Sequence, residues 1–445
     1  VEVINNLREI LKDTKTYLVG GSVRDLLLSR PLKDIDLITL AKPQEIGEKL
    51  LEFFGGSFFA LKEELSVYRL VFQQDREAYQ IDILPVLGEN IEEDLRRRDF
   101  TVNALALSVE GEVPRDIIDP TGGLKDLNSK VIRMIREENI KKDPVRILRG
   151  VRLSGELGFT VEPETRKTFK QYIQYIQSVP GERVAEELRK IFSLEDAAQV
   201  VDELFKIGFF EVFNLGIKEG YELYQNYHHT ETVYQHLIVA LSRMELLLDA
   251  NPLEIKTALP AYLLKMTAFF HDIGKPWTLS YDKKGQTRFF GHEKESVQRL
   301  KSFLEFLNFS NREKRVIITL IQNHMRILSL KTAAKVSGEA ILRLVKDTGD
   351  LFLELILLYL ADKGAKAKED IEFLKELKKF YEEYLNFKEA LSGRKIMEVL
   401  NIPESAAIGQ AKNYLLKAWA RGEVKNVNEA LEFLKKRRNF KKENV

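Results

Sequence analysis

Thr16-Tyr17-Leu18-Val19-Gly20-Gly21-Ser22-Val23-Arg24-Asp25, followed by Asp34-Ile35-Asp36-Leu37-Ile38-Thr39, is the stretch whose reading decides the fold. The run from Thr16 to Val19 is rich in β-formers and ends in two glycines, after which apolar residues return at helical spacing. A glycine turn is therefore predicted between a strand and a helix N-terminus. Such a turn cradles phosphate: glycine lets the backbone approach an anion, while free amides and the helix dipole supply partial positive charge. Ser22 and Arg24 offer further donors. A Gly-Gly pair alone is more often just a turn.

Thirteen residues after Gly21 comes Asp34-Ile35-Asp36 in an apolar strand, and period-two alternation turns both carboxylates to one side. Two like charges held together want a divalent cation between them and a triphosphate. The alternative is a turn aspartate beside a strand-edge aspartate. Asp82, in Tyr79-Gln80-Ile81-Asp82-Ile83-Leu84, is a candidate third ligand from a neighbouring strand, or a solvent-facing strand residue.

Outward from this stretch, residues 16–19, 36–39, 67–72 and 79–84 read as strands mixed with helices. From about Asp143 onward strand signals nearly vanish, and helical periodicity is broken at Gly155, Pro180-Gly181, Gly216, Pro252, Pro276, Gly291 and Pro403. An α+β head, a small mixed sheet with helices, followed by an all-α body is the expected architecture. At 445 residues the chain needs more than one core. Its 44% hydrophobic and 31% charged residues exclude disorder, and the absence of cysteine excludes disulfides, zinc ribbons and thiol nucleophiles. No secretory signal opens the sequence, and the apolar run at residues 351–361, interrupted by Glu354, is too short to span a bilayer. A cytoplasmic protein without a membrane partner is expected. Net charge is only +1, but bases cluster at Arg96, Arg97 and Arg98 and at Lys435, Lys436, Arg437, Arg438, Lys441 and Lys442.

Gly-Gly-Ser followed by Asp-x-Asp resembles the signature of the nucleotidyltransferase superfamily that includes DNA polymerase β-like enzymes. Arg97-Arg98-Asp99-Phe100-Thr101-Val102-Asn103-Ala104 narrows this to class II tRNA nucleotidyltransferases and bacterial poly(A) polymerases. The resemblance implies that Arg98, Asp99 and Asn103 meet the nucleotide sugar, that Asp34 and Asp36 hold Mg²⁺, and that Gly20, Gly21, Ser22 and Arg24 hold the triphosphate. Asp119-Pro120-Thr121-Gly122-Gly123 matches the family's turn after the head and is read as structural.

Asp143-Pro144-Val145-Arg146-Ile147-Leu148-Arg149 is similar to the family's Glu-Asp-x-x-Arg region, with Lys142 where Glu is usual. Spacing of three makes Asp143 and Arg146 neighbours on a helix. A carboxylate accepts from the exocyclic amine of C or A while a guanidinium donates to the adjacent ring nitrogen, so side chains replace a template. Asp then Pro is equally a good helix start. Arg149 and Arg152 continue the stripe as candidate phosphate contacts, and Glu182-Arg183 through Glu187 and Lys190 resembles the family's next helical element, a scaffold for this one. CCA-adding members carry a long flexible loop before Arg-Arg-Asp; here only Pro85-Val86-Leu87-Gly88-Glu89-Asn90 precedes a helix-like run. That short connection resembles CC-adding members, which use CTP and leave the terminal A to a separate A-adding enzyme; ATP use remains the alternative.

His236, His271-Asp272, His292, His324 and Asp362 resemble the ligand order of HD-family phosphohydrolases, implying one or two divalent ions that activate water against a phosphoester. The expected domains are thus a catalytic head over 1–140, a base-recognising neck over 141–220, an HD-type body over 221–365 and a helical tail over 366–445 that binds the tRNA acceptor end's parent molecule. A poly(A) polymerase and an HD-driven hydrolase acting on RNA ends are the rival readings.

Overall fold

The computed structural model describes residues 2–110, 113, 115–224, 231–364 and 368–436. The basic residues Arg437, Arg438, Lys441 and Lys442 lie outside that range. The chain forms two compact units: Val1–Glu187 with Lys206–Val212, and Leu188–Phe205 with Phe213–Val445. Their division falls inside the stretch read from sequence as one neck.

The first unit is built on a seven-stranded mixed sheet of strands β1 (Thr16–Val19), β2 (Asp34–Thr39), β3 (Ser57–Lys62), β4 (Val67–Gln74), β5 (Glu77–Pro85), β6 (Ala106–Ser108) and β7 (Ile117–Ile118). Their order across the sheet is β3-β4-β5-β2-β1-β6-β7, and β2 with β5 is the parallel pair. In β2, Ile35 and Leu37 bury into a core with Leu18, Leu50, Leu70 and Ile83 on one face. Ile38, pointing the other way, packs with Val19, Leu95 and Ala106. Each such side chain contributes roughly 1.5–3 kcal/mol by burial, which fixes the register, because a one-residue slip would drive Asp34 and Asp36 into the core.

The second unit is helical, as the periodicity required. Val233–Asp249, Ala261–Phe270, His292–Phe306, Asn311–Lys331 and Phe352–Lys363 pack around a shared interior, followed by Lys368–Ala390, Gly393–Leu400, Ala406–Ala420 and Val427–Lys436. The apolar run at 351–361 forms the Phe352–Lys363 helix, buried along most of its length. Among the described residues no helix is long and apolar enough to cross a membrane.

Two expectations are corrected. Gly155 does not break its helix: Val145–Leu157 runs through it and stops at Gly158, whose φ of 66° is the left-handed terminator. The region past Asp143 also retains small strands, Thr160–Val161 beside Val131–Ile132 and the hairpin Leu279–Tyr281 with Thr287–Phe289.

Candidate functional site

The glycine turn is tighter than its sequence shows. Gly20 sits at φ 63°, and a Cβ there would come within 2.5 Å of an Arg98 guanidinium nitrogen, so conformation and space both demand glycine. Arg98 therefore lies directly over the turn; its Nη1 reaches the Asn103 carbonyl at 3.4 Å and its Nε lies 3.4 Å from Asp94. Ser22 and Arg24, expected as phosphate donors, are engaged inside the protein. Buried Ser22 Oγ accepts from the Asp36 amide at 2.8 Å, tying the turn to β2. Buried Arg24 forks onto Asp25 at 2.9 Å twice and donates to Asn103 Oδ1 at 2.7 Å. The amides at the Gly21–Leu27 helix start are what the turn presents to an anion.

Asp34 is exposed and Asp36 half-buried, on the side of β2 opposite Ile35 and Leu37. The parallel pairing sets Asp36 directly across from Asp82. Burial pushes the Asp36 carboxyl above its ordinary range; Arg98 opposes this, Asp82 and Asp34 add to it, and Arg149 opposes. Three carboxylates in one half-buried patch fit a hard, oxygen-seeking divalent cation, whose charge would relieve their repulsion. Asp82 also has a partner that sequence reading missed. Arg69, opposite it on β4, donates to both its oxygens at 2.7 and 2.8 Å, so a role as third ligand competes with this ion pair.

Behind the turn, Asp99 is buried, accepts from the Phe100 amide at 2.8 Å and forms an ion pair with Arg149, whose Nε lies 3.1 Å away. Burial pushes its carboxyl up, but Arg149, the Phe100 amide, Arg146 and Asn103 together hold it below the usual range. Asn103 bridges Asp99 and Arg24. Arg149 is thereby committed to Asp99, which raises its own pKa.

Asp143 does not cap the start of the Val145–Leu157 helix; Pro144 fills that position, while Asp143 closes the preceding Glu137–Lys142 helix and its carboxylate is held from the side. Arg183 forks onto it at 3.0 and 2.8 Å, while Arg146 Nε lies 3.8 Å away and Arg146 Nη1 donates to the Arg97 carbonyl at 3.1 Å. Asp143 and Arg146 are neighbours as the spacing required, and Arg183 is a third member read from sequence only as scaffold. Arg152, read as a phosphate contact, is instead enclosed by Glu187 at 2.7 Å and Glu156 at 2.5 Å. Its side chain is 13% exposed, too closed in by those carboxylates to reach outward.

In the second unit the six predicted ligands converge. His236, His271, Asp272 and Asp362 form one buried group and Asp272, His292 and His324 another, so Asp272 is shared. His236 Nε2 lies 3.0 Å from Asp362 and 3.3 Å from Asp272; His292 Nε2 lies 3.0 Å from Asp272. Nδ1 of His271, His292 and His324 each faces a backbone carbonyl, of Ala268, Phe289 and Ile321, at 2.6–2.8 Å. Each Nδ1 therefore carries a proton, so that in the neutral ring the Nε2 lone pair aims inward, the usual preparation of metal-binding imidazoles. Two of these, on His292 and His324, confront each other at 3.1 Å. Buried His236 Nε2, His271 Nε2 and Asp362 Oδ1 have no hydrogen-bond partner. Burial opposes a charge on His271, yet Asp272 and Asp362 raise it to about 9, and burial lowers His324. The cluster demands positive charge at its centre, and its nitrogen and oxygen donors fit one or two divalent transition ions. Lys275, 2.5 Å from Asp272, and Lys363, 3.0 Å from Asp362, are additional to the sequence reading.

Fold and clusters define the class: a nucleotidyltransferase head joined to an HD-type helical unit. Residues 16–133 match the Poly A polymerase head domain, 158–219 the probable RNA and SrmB-binding site of polymerase A, and 227–366 the HD domain. The chain is 32% identical over 429 residues to a CC-adding tRNA nucleotidyltransferase of Thermus thermophilus, covering 94% of this chain and 92% of that one. It is 31% identical over 435 residues to an A-adding tRNA nucleotidyltransferase of Deinococcus radiodurans, covering 94% of each. A solved structure of a CCA-adding enzyme with ATP shares the fold, with TM-score 0.69 at 20% identity over 100% of this chain and 95% of that one. The chain belongs to the tRNA nucleotidyltransferase family.

Proposed function

We propose that this protein adds the two C residues of the CCA tail to the tRNA 3′ end, taking CTP as donor and releasing pyrophosphate, and leaves the terminal A to a separate A-adding enzyme. The observation that carries the choice of CC is the connection between β5 and the Ile91–Arg96 helix. It is only residues 86–90, and it is pinned: the Leu87 amide donates to buried Asp94 at 3.1 Å, the Glu89 amide to Glu93 at 2.9 Å, and Asn90 accepts from the Glu93 amide at 3.0 Å. A tether so short and so fastened keeps the base pocket set for one base.

In this reading Asp143 and Arg146 select cytosine, Arg98, Asp99 and Asn103 seat the sugar, and the amides of the Gly20-Gly21 turn receive the triphosphate. Asp34 and Asp36 would hold Mg²⁺, which when bound lowers the pKa of the primer 3′-hydroxyl and braces the α-phosphate as pyrophosphate departs. The protein's own part is orientation, aligning the hydroxyl with the bond to be broken. The test is incorporation on tRNA transcripts truncated by one, two and three residues. CTP is expected to enter those lacking CCA and CA, and ATP to be refused by the one ending in CC. ATP entry there makes it a full CCA-adding or A-adding enzyme, and long A tracts on arbitrary RNA a poly(A) polymerase.

The orphaned inward-facing ligand atoms of the HD cluster support a second activity, metal-assisted hydrolysis of phosphoesters at RNA ends such as 2′,3′-cyclic phosphates.

A further inference from the structure

Beyond the HD cluster, three helices line an open-sided cavity of about 500 Å³: Gly338–Thr348, Lys368–Ala390 and Ala406–Ala420. Each contributes a lysine to its wall, Lys346, Lys388 and Lys412 respectively. Among the described residues none of the three makes an ion pair, nor does Lys417 beside them. The lack of partners is not general: on the same Lys368–Ala390 helix, Lys375, Lys378 and Lys379 all find glutamates three or four residues away. The single carboxylate of the lining, Asp350, is already taken by Arg315 at 2.5 Å. Partial burial presses Lys346 below its ordinary pKa, with Lys417 and Lys388 adding to it, and partial burial and Lys388 do the same to Lys412. Lys346 Nζ donates to Asn413 Oδ1 at 3.1 Å, which leaves the Asn413 amide N–H groups as further donors, and Lys388 lies 5.5 Å from the Tyr384 ring.

In a chain whose 69 basic residues nearly balance 68 acidic ones, a knot of ammonium groups around a cavity whose one carboxylate is engaged by Arg315 lacks a counter-charge. We propose that this cavity binds a phosphate oxyanion through Lys346, Lys388, Lys412 and the Asn413 amide. Compact ammonium charges and neutral N–H donors suit phosphate. Two sources share that chemistry: a phosphodiester of an RNA backbone, which rests on the functional reading above, and a free oligophosphate such as pyrophosphate, which does not.

The variants are Lys388→Ala/Lys412→Ala and the charge-preserving Lys388→Arg/Lys412→Arg, each checked for an unchanged melting curve. The probes are a tRNA transcript lacking CCA and inorganic pyrophosphate. Loss of two phosphate contacts is expected to weaken transcript binding about tenfold near 0.1 M salt and to lower the slope of log Kd against log salt by about 2. The arginine variant should bind like the parent, and CTP incorporation at saturating transcript should be unchanged. If the parent instead binds one pyrophosphate more than the alanine variant, while transcript binding is unmoved, the occupant is the free oligophosphate. Transcript binding without any nucleotide incorporation defeats the functional reading and leaves the site standing. Alanine variants that bind both probes like the parent overturn the site.

Discussion

Asp143 is the residue on which base choice would turn, and its geometry depends on a side chain forty positions away in sequence. Arg183 holds both its oxygens, so the carboxylate has one orientation toward an incoming base. Removing that fork should leave the nucleotide bound but less well selected. For Arg183→Ala, kcat/KM with CTP is expected to fall about 10- to 100-fold, with discrimination against UTP falling too. Arg183→Lys should recover only part, because an ammonium cannot grip two oxygens at once. Steady-state incorporation with each nucleotide measures this, and unchanged discrimination in Arg183→Ala would show the fork to be idle. Asp143 and Arg146 were legible because their spacing is local. Arg183, and Arg69 opposite Asp82, were not, since only tertiary packing and strand register bring them in. Ser22 and Arg24 show the opposite case, visible in the motif but spent on fastening it.

At the scale of elements, four strands were legible in their alternation and fall within β1, β2, β4 and β5. β3 escaped because Ser57–Lys62 is an edge strand whose residues are mostly exposed, so no buried face imprints a period on it. The Asn311–Lys331 helix is set by its start, where Ser310 and Glu313 form a reciprocal cap. Glu313 also accepts from Tyr262 at 2.7 Å and Arg189 at 3.0 Å. Burial pushes its carboxyl up, but the Ser310, Tyr262 and Arg189 donors outweigh this and pull it down to about 2. Folded below its unfolded value, this group stabilises above about pH 4.5 and loses that contribution as pH falls toward 2. Glu313→Gln should therefore cost about 2 kcal/mol at pH 7, and the gap to the parent should narrow steadily below pH 4.5. Urea midpoints across pH 3–7 test it; a gap independent of pH would mean the cap acts by shape alone.

For the molecule as a whole, two compact units, each with its own polar cluster, lead to the expectation of two unfolding transitions. The HD ligands were legible from order alone, because His-Asp adjacency is specific, whereas the sharing of Asp272 and the approach of Lys275 and Lys363 required the packed helices. Since Nε2 of His236 and His271, both Asp272 oxygens and Asp362 Oδ1 make no hydrogen bond there, a divalent ion should stabilise the unit that contains them. The background for the test is Asp34→Ala/Asp36→Ala, which should abolish nucleotidyl transfer and silence the head's own metal affinity. With Mn²⁺ about 100-fold above its Kd, the second unit's calorimetric transition should gain about 2.7 kcal/mol, and hydrolysis of 2′,3′-cyclic phosphate ends should persist. His271→Ala should remove both effects. Because His271 is held up to about 9 by Asp272 and Asp362 against the opposing effect of burial, Mn²⁺ must displace its proton, so affinity should rise between pH 6 and pH 8.5. No Mn²⁺-induced shift at all would mean that the cluster is held by its own protons and binds no ion, and a shift that survives His271→Ala would put the ion on Asp272, His292 and His324 instead.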